Sequence, residues 1–173
     1  MLFKVSDVVV HPDHGVGHVV RLEEKRFSGR EAGLYYELAI QKSTVWVQVE
    51  SHEALRLRPV TPKHDLARYR GVLKSRPVPL NKDHRQRNLE LAARLKQGSF
   101  LVMCEVVRDL TARGWLKPLN EYDSVSLQRV RGRLCHEWAA SDGISIADAS
   151  GEVASLLLES RKAGTEIGGR LPY

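Results

Sequence analysis

The spacing of apolar residues changes once along this chain, and the change falls at a pair of prolines. Up to residue 60 the apolar residues sit in short β-branched runs separated by turn residues. Beyond Pro59 and Pro62 they recur at three- and four-residue steps over long stretches. A period of two suits a strand with one buried face, and a period near 3.6 suits a helix with one buried face. The two prolines lack the amide hydrogen that a continuing ladder or helix would need. The chain is therefore predicted to be α+β. An antiparallel β domain occupies residues 1–60 and an all-α helical domain residues 61–160. Gly164, Gly168 and Gly169 make residues 161–173 a predicted flexible tail.

Within the first part, Val8–Val10 reads as a strand, His11-Pro12-Asp13-His14-Gly15 as a turn, and Gly17–Leu22 as the returning strand. Ser28-Gly29-Arg30 marks a reversal, Leu34–Ile40 a strand and Gln41-Lys42-Ser43 another turn. Thr44–Val49 alternates, with Val45, Val47 and Val49 on one face and Thr44, Trp46 and Gln48 on the other. Leu55–Leu57 is predicted as a last short strand. So many short strands in so short a span imply a barrel or rolled sheet. Trp46 faces away from the valines, where it either anchors a partner or packs against the C-terminal part of the chain. His11, His14 and His18 straddle a turn with no cysteine or carboxylate at ligand spacing. They are read as decorating a hairpin rather than holding a metal.

The second part reads as five helices. His64–Ser75 is the first, broken by Arg76-Pro77-Val78-Pro79. The second, about Lys82 to Lys96, carries Leu89, Leu91, Ala92 and Leu95 as its buried side, with Gly98 as a stop and Ser99 as the next cap. Phe100–Arg113 presents Leu101, Cys104, Val107 and Leu110 to a core and ends at Gly114-Trp115. The fourth helix, about Ser124–Ala140, buries Leu127, Val130, Leu134 and Trp138, and Arg129, Arg131 and Arg133 lie on its outer faces. A capping-box-like start at Ser145 opens a fifth helix ending near Glu159.

Charge is distributed unevenly over these parts. Residues 1–62 carry no net charge, residues 63–117 carry +8 and residues 118–173 carry −2, within a formal total of +6. Lys82, His84, Arg85, Arg87, Arg94 and Lys96 crowd the second helix. Positive charge confined to one segment points to a polyanion, because each neutralised phosphate releases condensed counterions. No Gly-rich phosphate loop, cysteine–histidine metal spacing or nucleophile motif is present, so no enzyme, cofactor or metal is predicted. Glu105 and Asp109, four apart beside Arg108, read as ordinary surface charge. Cys104 and Cys135 read as buried thiols in a reducing compartment. With no signal-like N-terminal run and no stretch of ~18 apolar residues, a soluble cytoplasmic protein is expected.

The opening MLFKVSDVVVHPDHGVGHVV, the FSG turn and the LYYEL and TVWVQV strands resemble the N-terminal domain of CarD/CdnL-type bacterial transcription regulators. The run LKQGSFLVMCEVVRDLTARG resembles the central helices of the same family, and the likeness covers roughly residues 1–160. The β module by itself also resembles the polymerase-interacting domain of transcription-repair coupling factor, whose helicase motor motifs this sequence lacks.

The resemblance implies a Tudor-like β barrel that binds the β subunit of bacterial RNA polymerase. It implies a helical domain that contacts double-stranded promoter DNA at the upstream edge of the bubble and stabilises the open complex without reading sequence. Lys25 and Arg26 then fall at the polymerase-facing end of the second strand. Trp46 and Gln48 stand on the fourth strand where the family often has arginine and proline. Lys82, His84, Arg85, Arg87 and Arg94 fall to DNA. The family starts its second helix with a tryptophan that wedges into the minor groove, and His84 occupies that position here. A smaller, better hydrated imidazole stabilises a distorted base step less. A monomer is expected, and the alternative is a divergent adaptor or competitor that binds polymerase with little DNA engagement.

Overall fold

The computed structural model describes residues 2–29 and 31–166, and the chain divides into two compact units, Met1–Val60 and Thr61–Tyr173. In the first unit, β1 (Val8–His11), β2 (Gly15–Lys25), β3 (Gly33–Ile40), β4 (Ser43–Gln48) and β5 (Arg58–Pro59) form one antiparallel sheet in the order β4-β3-β2-β1-β5. The inner face buries Val9, Val19, Tyr36, Leu38, Ile40 and Val47, closed over by Phe3 and Leu57. Gly17 is needed in this sheet, since a Cβ there would lie 2.5 Å from Ile40 Cγ1.

One feature of β2 is invisible to pattern reading. Val19 pairs with Leu38 but Arg21 pairs with Glu37, so Val20 has no partner and the strand carries a bulge. Before the bulge the odd-numbered Val19 faces the core. After it, Arg21, Glu23 and Lys25 lie on the outer face with Glu37, Tyr35, Trp46 and Gln48. The extra residue thus inverts the facing of the rest of the strand.

Two predictions in this unit are corrected. Leu55–Leu57 is not a strand: Ala54–Arg56 forms a turn of 3-10 helix and leaves Leu55 80% exposed. Ser51 sets that turn locally, its Oγ donating to the Gln48 carbonyl (2.6 Å) and accepting from the Ala54 amide (3.1 Å). His11 does not decorate the hairpin but is wholly buried beneath it. Its Nδ1 accepts from the amides of Asp13 (3.1 Å) and His14 (3.2 Å), and Nε2 meets Glu53 Oε1 at 2.9 Å.

The second unit contains α1 (Leu66–Lys74), α2 (His84–Leu95), α3 (Phe100–Leu116), α4 (Glu121–Asp142) and α5 (Ile146–Glu166). Side-chain caps start four of them: Asp83, Ser99, Asn120 and Ser145 each accept from a backbone amide three residues on. The left-handed glycines Gly98 and Gly143 follow α2 and α4. Helix α3 touches each of the other four and supplies Phe100, Met103, Cys104, Val106, Val107 and Leu110 to the core. Leu73, Leu91, Leu134, Trp138, Val153 and Leu157 complete it from the neighbouring helices.

Helices α3 and α5 run further than expected, and two charged residues of α3 face inward. Helix α3 runs through Gly114 to Leu116, and Leu101 is only half-buried while Phe100 and Met103 are inside. Beyond Gly114, Trp115 is half-buried and Leu116 is 79% exposed, so the helix carries a glycine that costs about 1 kcal/mol without burying a large side chain fully at its end. Helix α5 passes Glu159 to Glu166, so residues 161–166 are helix rather than tail, and Gly168 and Gly169 lie outside the described residues. Asp109 and Arg108 are buried, not surface charge. Arg108 Nε donates to Asp109 Oδ1 (2.8 Å), and that oxygen also accepts from the Val78 amide (2.9 Å), tying the proline-rich connection to α3.

Candidate nucleic-acid and protein interfaces

Helix α2 carries the basic cluster, and its geometry sorts the charges into three groups. Lys82, His84 and Arg85 are exposed around the helix start, and their side chains make no hydrogen bond or ion pair within the described residues. Arg94 is half-exposed and paired with Glu105 Oε2 at 3.1 Å. Arg87 is buried. Its side chain is 2% exposed and faces Asp123, at 1%.

The predicted buried side of α2 is corrected accordingly. Leu91 is inside, Leu95 is half-buried, and Leu89 is 67% exposed with Ala92 also outside. Arg87 takes the place inside that the pattern assigned to Leu89, because its carboxylate partner Asp123 lies on a different helix and leaves no mark in the local period. The first turn of α2 holds no acidic residue. The Asp83 carboxylate caps the Gln86 amide there, and the helix dipole still leaves that end partially positive, with the cations Lys82 and Arg85 and the imidazole of His84 exposed around it. Such an end is ill-matched within the protein and well suited to phosphate oxygens.

On the β module the outer face brings together two of the predicted polymerase contacts. Lys25 Nζ lies 3.2 Å from the centroid of the Trp46 ring and 3.2 Å from Glu23 Oε1. Arg21 pairs with both Glu23 and Glu37 at 3.6 Å, which encloses the aromatic ring in alternating charge. Trp46 and Gln48 are half-buried, and Arg26 is exposed. β4 is the last strand of the sheet, so its outer edge has no strand partner there. The ring of Tyr35, beside Gln48 on the same face, packs edge-on against Phe27. Pattern reading missed Glu37 as the partner of Arg21, since the bulge that aligns β2 with β3 there has no sequence signature.

The core thiols are far from reactive. Cys104 and Cys135 are buried, and desolvation raises the pKa of both. Among the described residues no group of three or more His, Cys, Asp or Glu could hold a metal ion, and no helix is long and apolar enough to cross a membrane.

The described residues thus form a β module within residues 1–62, which carry no net charge, followed by a helical unit with one basic helix end. Family comparison makes this specific. The CarD-like/TRCF RID domain matches residues 3–61, and the CarD C-terminal domain matches residues 69–154. The chain belongs to the CarD/CdnL-type family of transcription regulators. Among its relatives is a Bacillus subtilis (strain 168) protein named "Putative transcription factor YdeB", 29% identical over 150 residues, which cover 83% of this chain and 95% of that protein.

Proposed function

We propose that this regulator binds the β subunit of bacterial RNA polymerase through the outer face of its β module and holds promoter DNA at the upstream edge of the bubble through the start of α2. It acts in the cytoplasm as a monomer and stabilises the open complex without reading base sequence. The observation that carries the DNA half is the exposure of Lys82, His84 and Arg85, unpartnered at a helix N-terminus. Phosphate contacts of this kind position a protein on the duplex and carry no base information. Arg94 reaches phosphate only by leaving Glu105, and Arg87 does not belong to this surface.

Open-complex half-life tests the reading. Lys82→Glu with Arg85→Glu shortens it, and each lost phosphate contact lowers the slope of log affinity against log salt by about 1. His84→Trp lengthens the half-life, because an indole fills an opened base step better than an imidazole.

A second reading is an adaptor or competitor that binds polymerase with little DNA engagement. It is favoured by His84 at the wedge position and by the inward Arg87. An unchanged open-complex half-life in the charge-reversed pair, with polymerase binding intact, selects it.

A further inference from the structure

Arg87 and Asp123 are the most completely buried ion pair among the described residues, and the rest of the arginine is spent on backbone. Arg87 Nη2 donates to Asp123 Oδ2 at 2.7 Å, and Nε reaches Oδ1 and Oδ2 at 3.3 and 3.1 Å. Nη1 turns the other way and donates to the carbonyls of Asn81 (2.8 Å) and Lys82 (3.3 Å). Asp123 is held by its own helix start, where its amide donates to Asn120 Oδ1 (2.7 Å), and Arg113 of α3 adds a second cation 3.8 Å from Oδ2.

Stability alone does not account for such a group, since buried ion pairs are often replaced by apolar residues without loss. What apolar residues cannot do is grip two carbonyls. Those carbonyls belong to the segment leading into α2, directly before the cap Asp83 and beside the exposed cations. Asn81 fixes the same segment from outside, its Oδ1 accepting from the Asp83 amide (3.0 Å) and its Nδ2 donating to Glu90 (3.1 Å).

We infer that Arg87 is a positioning residue, clamped by Asp123, that holds the Asn81–Lys82 backbone so that Lys82, His84 and Arg85 are presented as one preorganised phosphate-binding surface. The inference rests on the proposed DNA contact at the start of α2. A surface already ordered spends less of its interaction energy on loop ordering when it meets a ligand.

Fluorescence anisotropy of the full chain with a short labelled duplex separates the possibilities. Asp123→Asn makes the protein more positive, so general attraction to DNA predicts tighter binding. Loss of the clamp predicts binding weaker by about tenfold, the size of one lost charge-assisted hydrogen bond. The pair Arg87→Met with Asp123→Leu restores an apolar fit without the grip on the carbonyls, and the clamp predicts the same loss in a folded protein. Should neither variant fold, Arg87→Lys keeps the charge but not the fork, and loses affinity on the same account. Wild-type or tighter binding in any folded one of these overturns the clamp. Lys82→Gln with Arg85→Gln serves as the reference. If it weakens binding while the clamp variants do not, the DNA contact stands and the clamp fails. If it binds as wild type, the DNA contact fails and the clamp with it.

Discussion

The ammonium of Lys25 stands 3.2 Å from the centroid of the Trp46 ring, reaching across β3 from β2 to β4. A cation over an indole at this distance is an attraction of about 0.5–2 kcal/mol, set by how dry the site is. The pair preorders an aromatic surface rimmed by alternating charge on the outer face of the β module.

That face is expected to lose its partner when the ring is removed. Trp46→Ala lowers affinity for the isolated polymerase β lobe by at least about tenfold, as truncation of a central aromatic anchor does. Lys25→Ala has a smaller effect, and neither lowers the melting temperature much, because both side chains lie outside the core. Biolayer interferometry measures it, and wild-type affinity in Trp46→Ala sinks the assignment of this face.

His11 makes stability depend on pH. Its Nδ1 accepts from two backbone amides, so the neutral Nε2–H form, donating to Glu53, fits the turn. Burial is the main cause lowering its pKa below 6.5; the Glu53 hydrogen bond opposes it and the nearby His14 reinforces it. The unfolded chain takes up the proton first as pH falls, so the contribution is complete above pH 6.5 and declines below it. Replacing His11 with glutamine removes the titration. The stability gap between wild type and His11→Gln therefore narrows from about pH 7.5 to about pH 5.5 in urea titrations. A gap that stays constant or widens refutes the assignment.

Gly17 is predicted to accept no side chain. A Cβ there would meet Ile40 Cγ1 at 2.5 Å and the Ala39 carbonyl oxygen at 2.9 Å. The second contact is with backbone and cannot be relieved by a rotamer change. Gly17→Ala should cost about 1–3 kcal/mol in urea unfolding. A loss below about 0.5 kcal/mol, the ordinary surface value, contradicts the close approach of these strands.

Two leucines on α2 are expected to behave oppositely. Leu91 is 4% exposed and Leu89 is 67% exposed. Leu91→Ala should cost about 2–5 kcal/mol, as core truncations do. Leu89→Ala should stay within about 0.5 kcal/mol. Thermal melts of the two variants side by side decide it, and equal losses would mean that α2 is rotated from the orientation described.

Much of the helical unit was legible because its signals are local. Ser99, Gly98 and Ser145 cap or stop helices through atoms within a few residues of themselves, and Leu134 and Trp138 repeat at the helical period they serve. The strands before residue 50 were legible for the same reason, their turns being written in Gly, Pro, Asp and Ser. Failures cluster where a residue's environment is set by a distant partner or an irregularity in pairing. Arg87 reads as a surface cation until Asp123, 36 positions away, meets it. His11 reads as a hairpin ornament until Glu53 closes beneath it.

The sequence by itself determined that a β module precedes helices, that positive charge is confined to the middle of the chain, and which family the two blocks resemble. Period, punctuation and charge are properties of neighbouring residues and survive without coordinates. Only the tertiary structure decided which face each residue serves. One unpaired residue at Val20 turns Lys25 toward Trp46, and one buried carboxylate at Asp123 draws Arg87 inward. The first follows from a side-chain period of two, in which a single insertion exchanges the faces of everything beyond it. The second follows from the cost of burying a charge, which only a partner supplied by another helix can offset.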